Sequence, residues 1–218
     1  MELGKSVNLY HVHHGFLREK IKLCMFRFDK KQQLVKGNFA KVYSGEMTLN
    51  GKTSAVAAKK INDSVKDNAK VVFEFTREAS IHQKLDHRNI AKLLGIIYQE
   101  NLTIVMEFCA DGSLRNFLKK TRNELSNKIC LGFAVDGSNA MDYLQEKQIV
   151  HGDITTGNFL IGNRLCLKLA DFGLSTCGET KKKGFGQISW QWAAPELAEK
   201  KFYSFNSDAW SFGIVLWA

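Results

Sequence analysis

The sequence is nearly free of proline, because Pro195 is the single one among 218 residues. Linkers and disordered tails are usually richer in proline, so we expect a compact body. The five cysteines are odd in number and show no Cys-x-x-Cys spacing, which argues against a disulfide framework or a zinc site. No apolar run is long enough to span a membrane, and the polar start lacks the pattern of a secretory signal. These absences predict a cytoplasmic chain, or the intracellular part of a longer protein.

The charged residues are mainly basic. The 31 Lys and Arg residues outnumber the 22 Asp and Glu residues, for a net charge of +9. A basic chain can bind nucleic acid or an anionic membrane, but the lysines here are scattered. Only residues 181–183 form a tight lysine run, and no aromatic residues interleave with it to stack on bases. A solvated basic surface is the preferred interpretation, so neither nucleic acid nor a membrane span is predicted as a partner.

Apolar periodicity divides the chain into a strand-rich part and a helix-rich part. Strand-like patterns occupy residues 32–61, with a hairpin signal at Asn50-Gly51, and residues 93–98 and 102–108, while residues 70–85 have helical spacing. After residue 109 the spacing is mainly helical. This order predicts an α+β fold of two lobes, residues 28–108 and 109–218, with a cleft between them.

The two ends of the chain are the hardest parts to interpret. Residues 1–27 are taken as a leader of unknown role; residues 21–26 could form a strand, but a solvated, poorly packed leader is preferred. The sequence stops inside an apolar helical pattern at residues 207–218 with no polar cap. A fragment that aggregates or melts early in isolation is therefore expected.

Two short polar motifs carry the chemistry. Residues 151–158 read HGDITTGN, and Asp171-Phe172-Gly173 follows on a second short loop. Asp153 can take a proton from a hydroxyl. Asn158 and Asp171 offer hard oxygen ligands, which suit Mg²⁺ held against the phosphates of a nucleotide. The arrangement is typical of phosphoryl transfer.

Six further segments occur in an order that identifies a family. They are residues 56–59 (VAAK), 75–79 (FTREA), 85–90 (LDHRNI), 105–108 (VMEF), 194–196 (APE) and 207–213 (SDAWSFG). Each is weak alone, but together with the two motifs they are very specific. The chain resembles the eukaryotic protein kinase catalytic domain from about residue 30 to its end. Within that family it is most similar to the tyrosine kinase group, and there to cytoplasmic Fer-type kinases.

The resemblance implies an ATP- and Mg²⁺-dependent protein kinase with a small β-rich N-lobe and an incomplete helical C-lobe. It implies that Lys59 binds the α- and β-phosphates, that Glu78 holds Lys59, and that Asp153 orients the substrate hydroxyl. Asn158 and Asp171 are the implied metal ligands. The substrate is a protein with a tyrosine acceptor, or with Ser or Thr, and the oligomeric state is left open.

The nucleotide-binding residues also follow from the resemblance. A glycine-rich loop is expected at Val35, Lys36, Gly37, Asn38, Phe39 and Ala40. The adenine is expected between Val42 and Ala57 on one side and Leu160 on the other. Met106 is expected at the back of this pocket, and the backbones of Glu107 and Cys109 at the edge of the ring.

Several positions depart from the family pattern. Gly37 is the one family glycine retained in the glycine-rich loop, which predicts weaker ATP binding. Gly152 replaces the usual arginine, and residues 171–196 contain no tyrosine, so we expect no switch by activation-loop tyrosine phosphorylation. Thr155 and Gly157 stand where Ser/Thr kinases have lysine and tyrosine kinases have arginine, and His82 replaces an apolar residue.

These departures leave alternatives open. The second interpretation is a pseudokinase that binds nucleotide weakly and serves as an interaction module. A tyrosine-kinase-like Ser/Thr kinase is the third. Nucleic-acid binding through the basic surface has little support, because the positive charge is not concentrated.

Overall fold

A computed structural model describes residues 5–13, 16–37, 39–98, 101–121, 124–181, 189–200 and 202–218. The chain divides into two compact units. Unit 1 contains Met1–Leu85 and Lys92–Phe108, and unit 2 contains Asp86–Ala91 and Cys109–Ala218. Within the described ranges, no helix is both long and apolar enough to cross a membrane.

Unit 1 is a six-stranded sheet with one long helix. Its elements are β1 (Lys5–His13), β2 (Phe16–Lys36), β3 (Ala40–Leu49), β4 (Lys52–Ile61), α1 (Ala69–His82), β5 (Leu93–Ile97) and β6 (Thr103–Glu107). The strand order is β1-β2-β3-β4-β6-β5, and pairing of β1 with β5 closes the sheet into a barrel. Asn50 and Gly51 connect β3 to β4 with positive φ angles of 52° and 77°, the geometry of a tight hairpin turn.

The prediction of a poorly packed leader is wrong for the described part of residues 1–27, which lies in β1 and β2. Met25 and Phe26 of β2 pair with Thr48 and Met47 of β3, and Phe26 is buried in the core. The available signal for a strand was the mainly apolar run IKLCMF at residues 21–26. Its pairing partners lie far along the sequence, which weakened the prediction.

Unit 2 is mainly helical, with short antiparallel strand pairs. Its elements are α2 (Leu114–Thr121), α3 (Asn127–Glu146), β7 (Ile149–Val150), β8 (Phe159–Gly162), β9 (Cys166–Leu169), β10 (Thr176–Cys177), β11 (Thr180–Lys181), α4 (Pro195–Lys200), β12 (Phe202–Tyr203) and α5 (Phe205–Trp217). β8 pairs with β9, β7 with β10, and β11 with β12. The predicted α+β class is confirmed.

Helix caps fix where the helices of unit 2 begin. Ser126 precedes α3 and its side chain accepts a hydrogen bond from the Ile129 N–H. Ser204 precedes α5 and forms a reciprocal capping box with Ser207. Pro195, the only proline, is the first residue of α4, where its missing N–H costs nothing. These local signals set the first residues of α3, α4 and α5.

Candidate active site

In unit 1, β4 and α1 bring a lysine and a glutamate into contact. Lys59 pairs with Val42 and Ile104 in the sheet, and its Nζ lies 2.6 Å from Oε1 of Glu78. The two side chains are only 14% and 6% exposed. A charge this far from water is costly unless it is paired. The contact therefore holds the ammonium group of Lys59 in one place.

Helix α1 presents Glu78 because of its cap and its apolar spacing. The Asn68 side chain accepts hydrogen bonds from the N–H groups of Lys70 and Val71, which starts the helix. The buried residues recur at helical spacing: Val71, Phe75, Glu78, Ala79, Ile81 and His82. Glu78 thus lies on the buried face, beside the apolar residues that anchor the helix.

Several residues predicted to surround the adenine belong to the core of unit 1. Ala57 pairs with Met106 across β4 and β6, and Val42 packs against the same cluster. Glu107 is tied to Lys92 twice, since its N–H donates to the Lys92 carbonyl and its Oε1 accepts from the Lys92 N–H at 2.7 Å. These four residues are fixed by the sheet.

The other two predicted adenine contacts belong to unit 2. Cys109 is buried, and its carbonyl accepts a hydrogen bond from the Gly112 N–H. Leu160 is half-buried on β8, where it pairs with Lys168 of β9 and forms a bridge to Ser113.

The turn between β2 and β3 requires its glycine. The Gly37 N–H donates to the Ala40 carbonyl at 3.0 Å, and a Cβ at position 37 would lie 2.9 Å from that oxygen. Asn62 supports the turn from outside, because its side chain donates to the Gly37 carbonyl. The family glycine that the sequence retains is therefore the one that this turn cannot replace.

Exposed side chains occur among the other residues predicted to form the glycine-rich loop. Val35 and Phe39 are 59% and 44% exposed, an arrangement open to a ligand. Lys36 is the last residue of β2 and pairs with Lys41. Asn38, also predicted to bind nucleotide, lies outside the described residues.

In unit 2, the loop at residues 153–158 folds back on its own carboxylate. The Asn158 side-chain amide donates to both the carbonyl oxygen and Oδ2 of Asp153, each at 2.8 Å. Thr155 Oγ1 accepts hydrogen bonds from the N–H groups of Gly157 and Asn158. The loop is thus rigidly closed, with Asp153 held at its start.

The second polar motif joins this loop through the backbone. The Ala170 N–H donates to the Asn158 carbonyl at 2.9 Å, directly before Asp171. Phe172 is fully buried and its ring lies 5.1 Å from that of His151. Asp171 itself is exposed and has a positive φ of 64°. The structure therefore joins Asn158 to Asp153 directly and links Asn158 to the residue that precedes Asp171, all within unit 2.

The family described as protein tyrosine and serine/threonine kinase matches residues 28–218. The chain belongs to this family. Similar proteins include "Tyrosine-protein kinase Fer" of Homo sapiens, 39% identical over 188 residues, and "Megakaryocyte-associated tyrosine-protein kinase" of Rattus norvegicus, 37% identical over 186 residues. "Fer-related kinase 1" of Caenorhabditis elegans is 33% identical over 188 residues.

These alignments cover 84% to 85% of this chain, but only 22%, 38% and 47% of the three relatives in the same order. The chain therefore spans less than half the length of the curated relatives that it matches. The resemblance to the protein kinase family, its tyrosine kinase group and Fer-type kinases is confirmed. The roles of individual residues remain predictions.

Asp208 binds the backbone directly before Asp153, a contact that the sequence did not predict. Its Oδ2 accepts a hydrogen bond from the His151 N–H at 2.6 Å, and its Oδ1 accepts one from the Gly152 N–H at 2.8 Å. Burial raises the pKa of the Asp208 carboxyl, whereas His151 and these two donors lower it. Asp208 lies in the SDAWSFG segment, whose sequence pattern indicates the family but does not indicate this contact.

Gly152 occupies a position that has no room for a side chain. Its φ is 78°, and a Cβ would lie 2.6 Å from Cδ1 of Tyr203 and 3.1 Å from the Leu174 carbonyl oxygen. Tyr203 packs in a core cluster with Val150, Ala194 and Leu197. Burial raises the pKa of the Tyr203 hydroxyl, and the negative charge of Asp153 raises it further. The ring of Tyr203 therefore lies beside Gly152, directly before the loop at residues 153–158.

The substitution Gly152→Ala is expected to lower the free energy of unfolding by about 1–3 kcal/mol, from left-handed backbone strain plus the Tyr203 contact. Urea denaturation measures the change. Gly178→Ala is the matched control, because Gly178 has a φ of 74° and nothing within 4 Å of its added Cβ. Equal losses for the two variants would show that Tyr203 does not restrict position 152.

Proposed function

We propose that this protein transfers the γ-phosphate of ATP to a protein hydroxyl, with tyrosine as the favoured acceptor. The observation that carries the proposal is the closed catalytic loop, in which Asn158 binds both the backbone and the carboxylate of Asp153. Such a loop fixes a proton acceptor in one orientation. Phosphoryl transfer depends mainly on this kind of positioning and on electrostatic stabilisation.

Lys59 would bind the α- and β-phosphates of ATP. Its ammonium group is held in place because Glu78 contacts it at 2.6 Å. The adenine would contact Val42, Ala57 and Leu160, with Met106 behind it and backbone groups of Glu107 and Cys109 at its edge. Residues 35–40 would cover the phosphates, as the exposure of Val35 and Phe39 allows.

Oxygen atoms of Asn158 and Asp171 are suitable ligands for an Mg²⁺ ion that also binds the phosphates of ATP. Both hydrogen bonds from the Asn158 amide nitrogen go to Asp153, and no described residue donates to Asn158 Oδ1. That oxygen and the Asp171 carboxylate would hold the ion. No group of three acidic, His or Cys side chains forms a metal site among the described residues, and Mg²⁺ commonly takes few protein ligands with phosphate and water. When bound, the ion neutralises phosphate charge.

Asp153 would accept the proton of the substrate hydroxyl as the new bond to phosphorus forms. A carboxylate in a loop fixed by Asn158 and anchored through Gly152 to Asp208 is suited to orient an attacking oxygen.

The preference for tyrosine rests on the relatives, which are named as tyrosine-protein kinases. The catalytic loop itself has neither the lysine nor the arginine that would distinguish the two acceptor classes. A cytoplasmic location is part of the proposal. The sequence supports it, because the five cysteines are odd in number and show no Cys-x-x-Cys spacing.

A pseudokinase that acts as an interaction module is the second candidate. The glycine-rich loop favours it, because Val35 and Ala40 carry Cβ atoms where the family has glycine and make close approach to phosphate harder. This interpretation retains weak nucleotide binding but predicts no transfer.

The decisive experiment follows transfer of labelled phosphate from ATP to peptides that contain either Tyr or Ser and Thr, with and without Mg²⁺. We expect Mg²⁺-dependent label on tyrosine, and none with the Asp153→Asn variant. Stabilisation by ATP and Mg²⁺ without transfer would instead support the interaction module. Label on Ser or Thr alone would make the protein a Ser/Thr kinase.

A further inference from the structure

The catalytic loop has no cationic side chain of its own. Residues 153–158 read Asp-Ile-Thr-Thr-Gly-Asn, so their only charge is negative. Phosphate transfer places negative charge on the oxygens of the moving group, and nearby fixed positive charge stabilises it. A cation that serves this loop must therefore come from another part of the chain.

Arg115 on helix α2 lies against this loop. A Cβ built at Gly157 would lie 3.7 Å from Cζ and 3.8 Å from Nη2 of Arg115. The Arg115 N–H donates to the Thr156 carbonyl at 2.9 Å, which ties the start of α2 to the loop. Gly157 directly precedes Asn158, whose amide contacts Asp153. The guanidinium thus occupies the space that a side chain at position 157 would fill.

The charge of Arg115 is available, and its placement has no evident structural purpose. The residue is exposed, and no carboxylate of a described residue lies within ion-pair distance of its guanidinium. It is also the second residue of α2, near the positive end of the helix dipole, where a cation is unfavourable. The lysines in the last turn of α2 are placed as the dipole favours.

From these contacts we infer that Arg115 supplies the positive charge of the catalytic loop and contacts the phosphoryl group during transfer. The inference rests on the proposed kinase function. The acceptor oxygen bonds to phosphorus, the bond from phosphorus to the departing ADP oxygen breaks, and the hydroxyl proton goes to Asp153. Arg115 exchanges no proton. Its planar fork of N–H donors suits phosphate oxygens.

The test compares Arg115→Gln with Lys120→Gln in the full-length protein. Both remove one exposed positive charge from α2, but Lys120 is in the last turn of the helix. We expect Arg115→Gln to lower kcat by on the order of tenfold to a hundredfold with little change in the KM for ATP or in Tm. Lys120→Gln should change kcat by less than about twofold.

Two further variants separate charge from structure. Arg115→Lys should retain more activity than Arg115→Gln, since it keeps the charge without the fork. The double variant Arg115→Gln, Gly157→Arg moves the cation onto the loop, where an added Cβ meets only ordinary contacts, the nearest being Thr155 Oγ1 at 3.4 Å. We expect it to recover most of the lost kcat.

The outcomes distinguish this inference from the proposed function. If Arg115→Gln keeps kcat within about twofold of the unmodified protein, the inference is wrong and the kinase function stands. The inference is also wrong if Arg115→Lys loses as much as Arg115→Gln and the folded double variant recovers nothing. Absence of transfer by the unmodified protein overturns the kinase function itself, and this inference with it.

Discussion

Replacing Asp153 with asparagine is expected to reduce phosphate transfer by a factor on the order of 10²–10⁴ while the protein stays folded. The amide cannot take up the proton that leaves the substrate hydroxyl. Its shape is nearly unchanged, and its oxygen can still accept the hydrogen bond that Asn158 now donates to Oδ2. The loss should therefore appear in kcat, with Tm and the stabilisation by ATP and Mg²⁺ preserved.

Asp142→Asn is the matched control for this change. Asp142 is an exposed carboxylate on α3 in the same unit, and its side chain makes no hydrogen bond or ion pair with a described residue. It should behave like the unmodified protein in both transfer and melting. Transfer by Asp153→Asn within about tenfold of the unmodified protein would show that another group accepts the proton. A large fall in Tm would show instead that the carboxylate mainly supports the fold.

Local sequence signals predicted the elements that carry the site. The apolar spacing of three and four on α1 gave the helix, and Asn50-Gly51 gave the hairpin of β3 and β4. In both cases the residues that determine the structure lie within a few positions of the element that they form. The contact between Lys59 and Glu78 also agrees with the expectation from the family resemblance.

Features that depend on distant parts of the chain could not be predicted in the same way. Nothing near Gly157 in the sequence indicates that Arg115 would lie beside it. The absence of an arginine at position 152 was visible, but the positive φ and the Tyr203 ring that accompany it were not. Such contacts form when separate elements pack against each other, and the sequence pattern of a single segment does not predict them.

β1 also shows how pairing with distant residues limits what the sequence alone can predict. β1 has few local signals, yet Leu9 and Tyr10 pair with Ile97 and Ile96 and close the barrel of unit 1. A strand is stabilised by its neighbours more than by its own propensity. The tendency of a segment to form a strand is therefore underestimated when its pairing partners are far away in the sequence.

Asp208→Asn is expected to lower both stability and activity, although Asp208 would touch no substrate. Each of its carboxylate oxygens accepts a backbone N–H, from His151 and from Gly152, and the residue is 3% exposed. Asparagine has one oxygen and an NH₂ group, so one of these buried N–H groups would face another donor. The free energy of unfolding should fall by on the order of 3 kcal/mol.

The activity should fall further than the loss of folded protein explains, because the two N–H groups belong to the residues that lead into Asp153. A shift of about 1 Å in a catalytic group can cost on the order of a hundredfold in rate. Asp136→Asn is the control, since Asp136 accepts one hydrogen bond, from the Leu167 N–H, and a single amide oxygen can replace it. Urea denaturation and kcat, measured well below the melting temperature, separate the two effects. If Asp208→Asn lowered stability but kept kcat in the folded fraction, Asp208 would support α5 without positioning the catalytic loop.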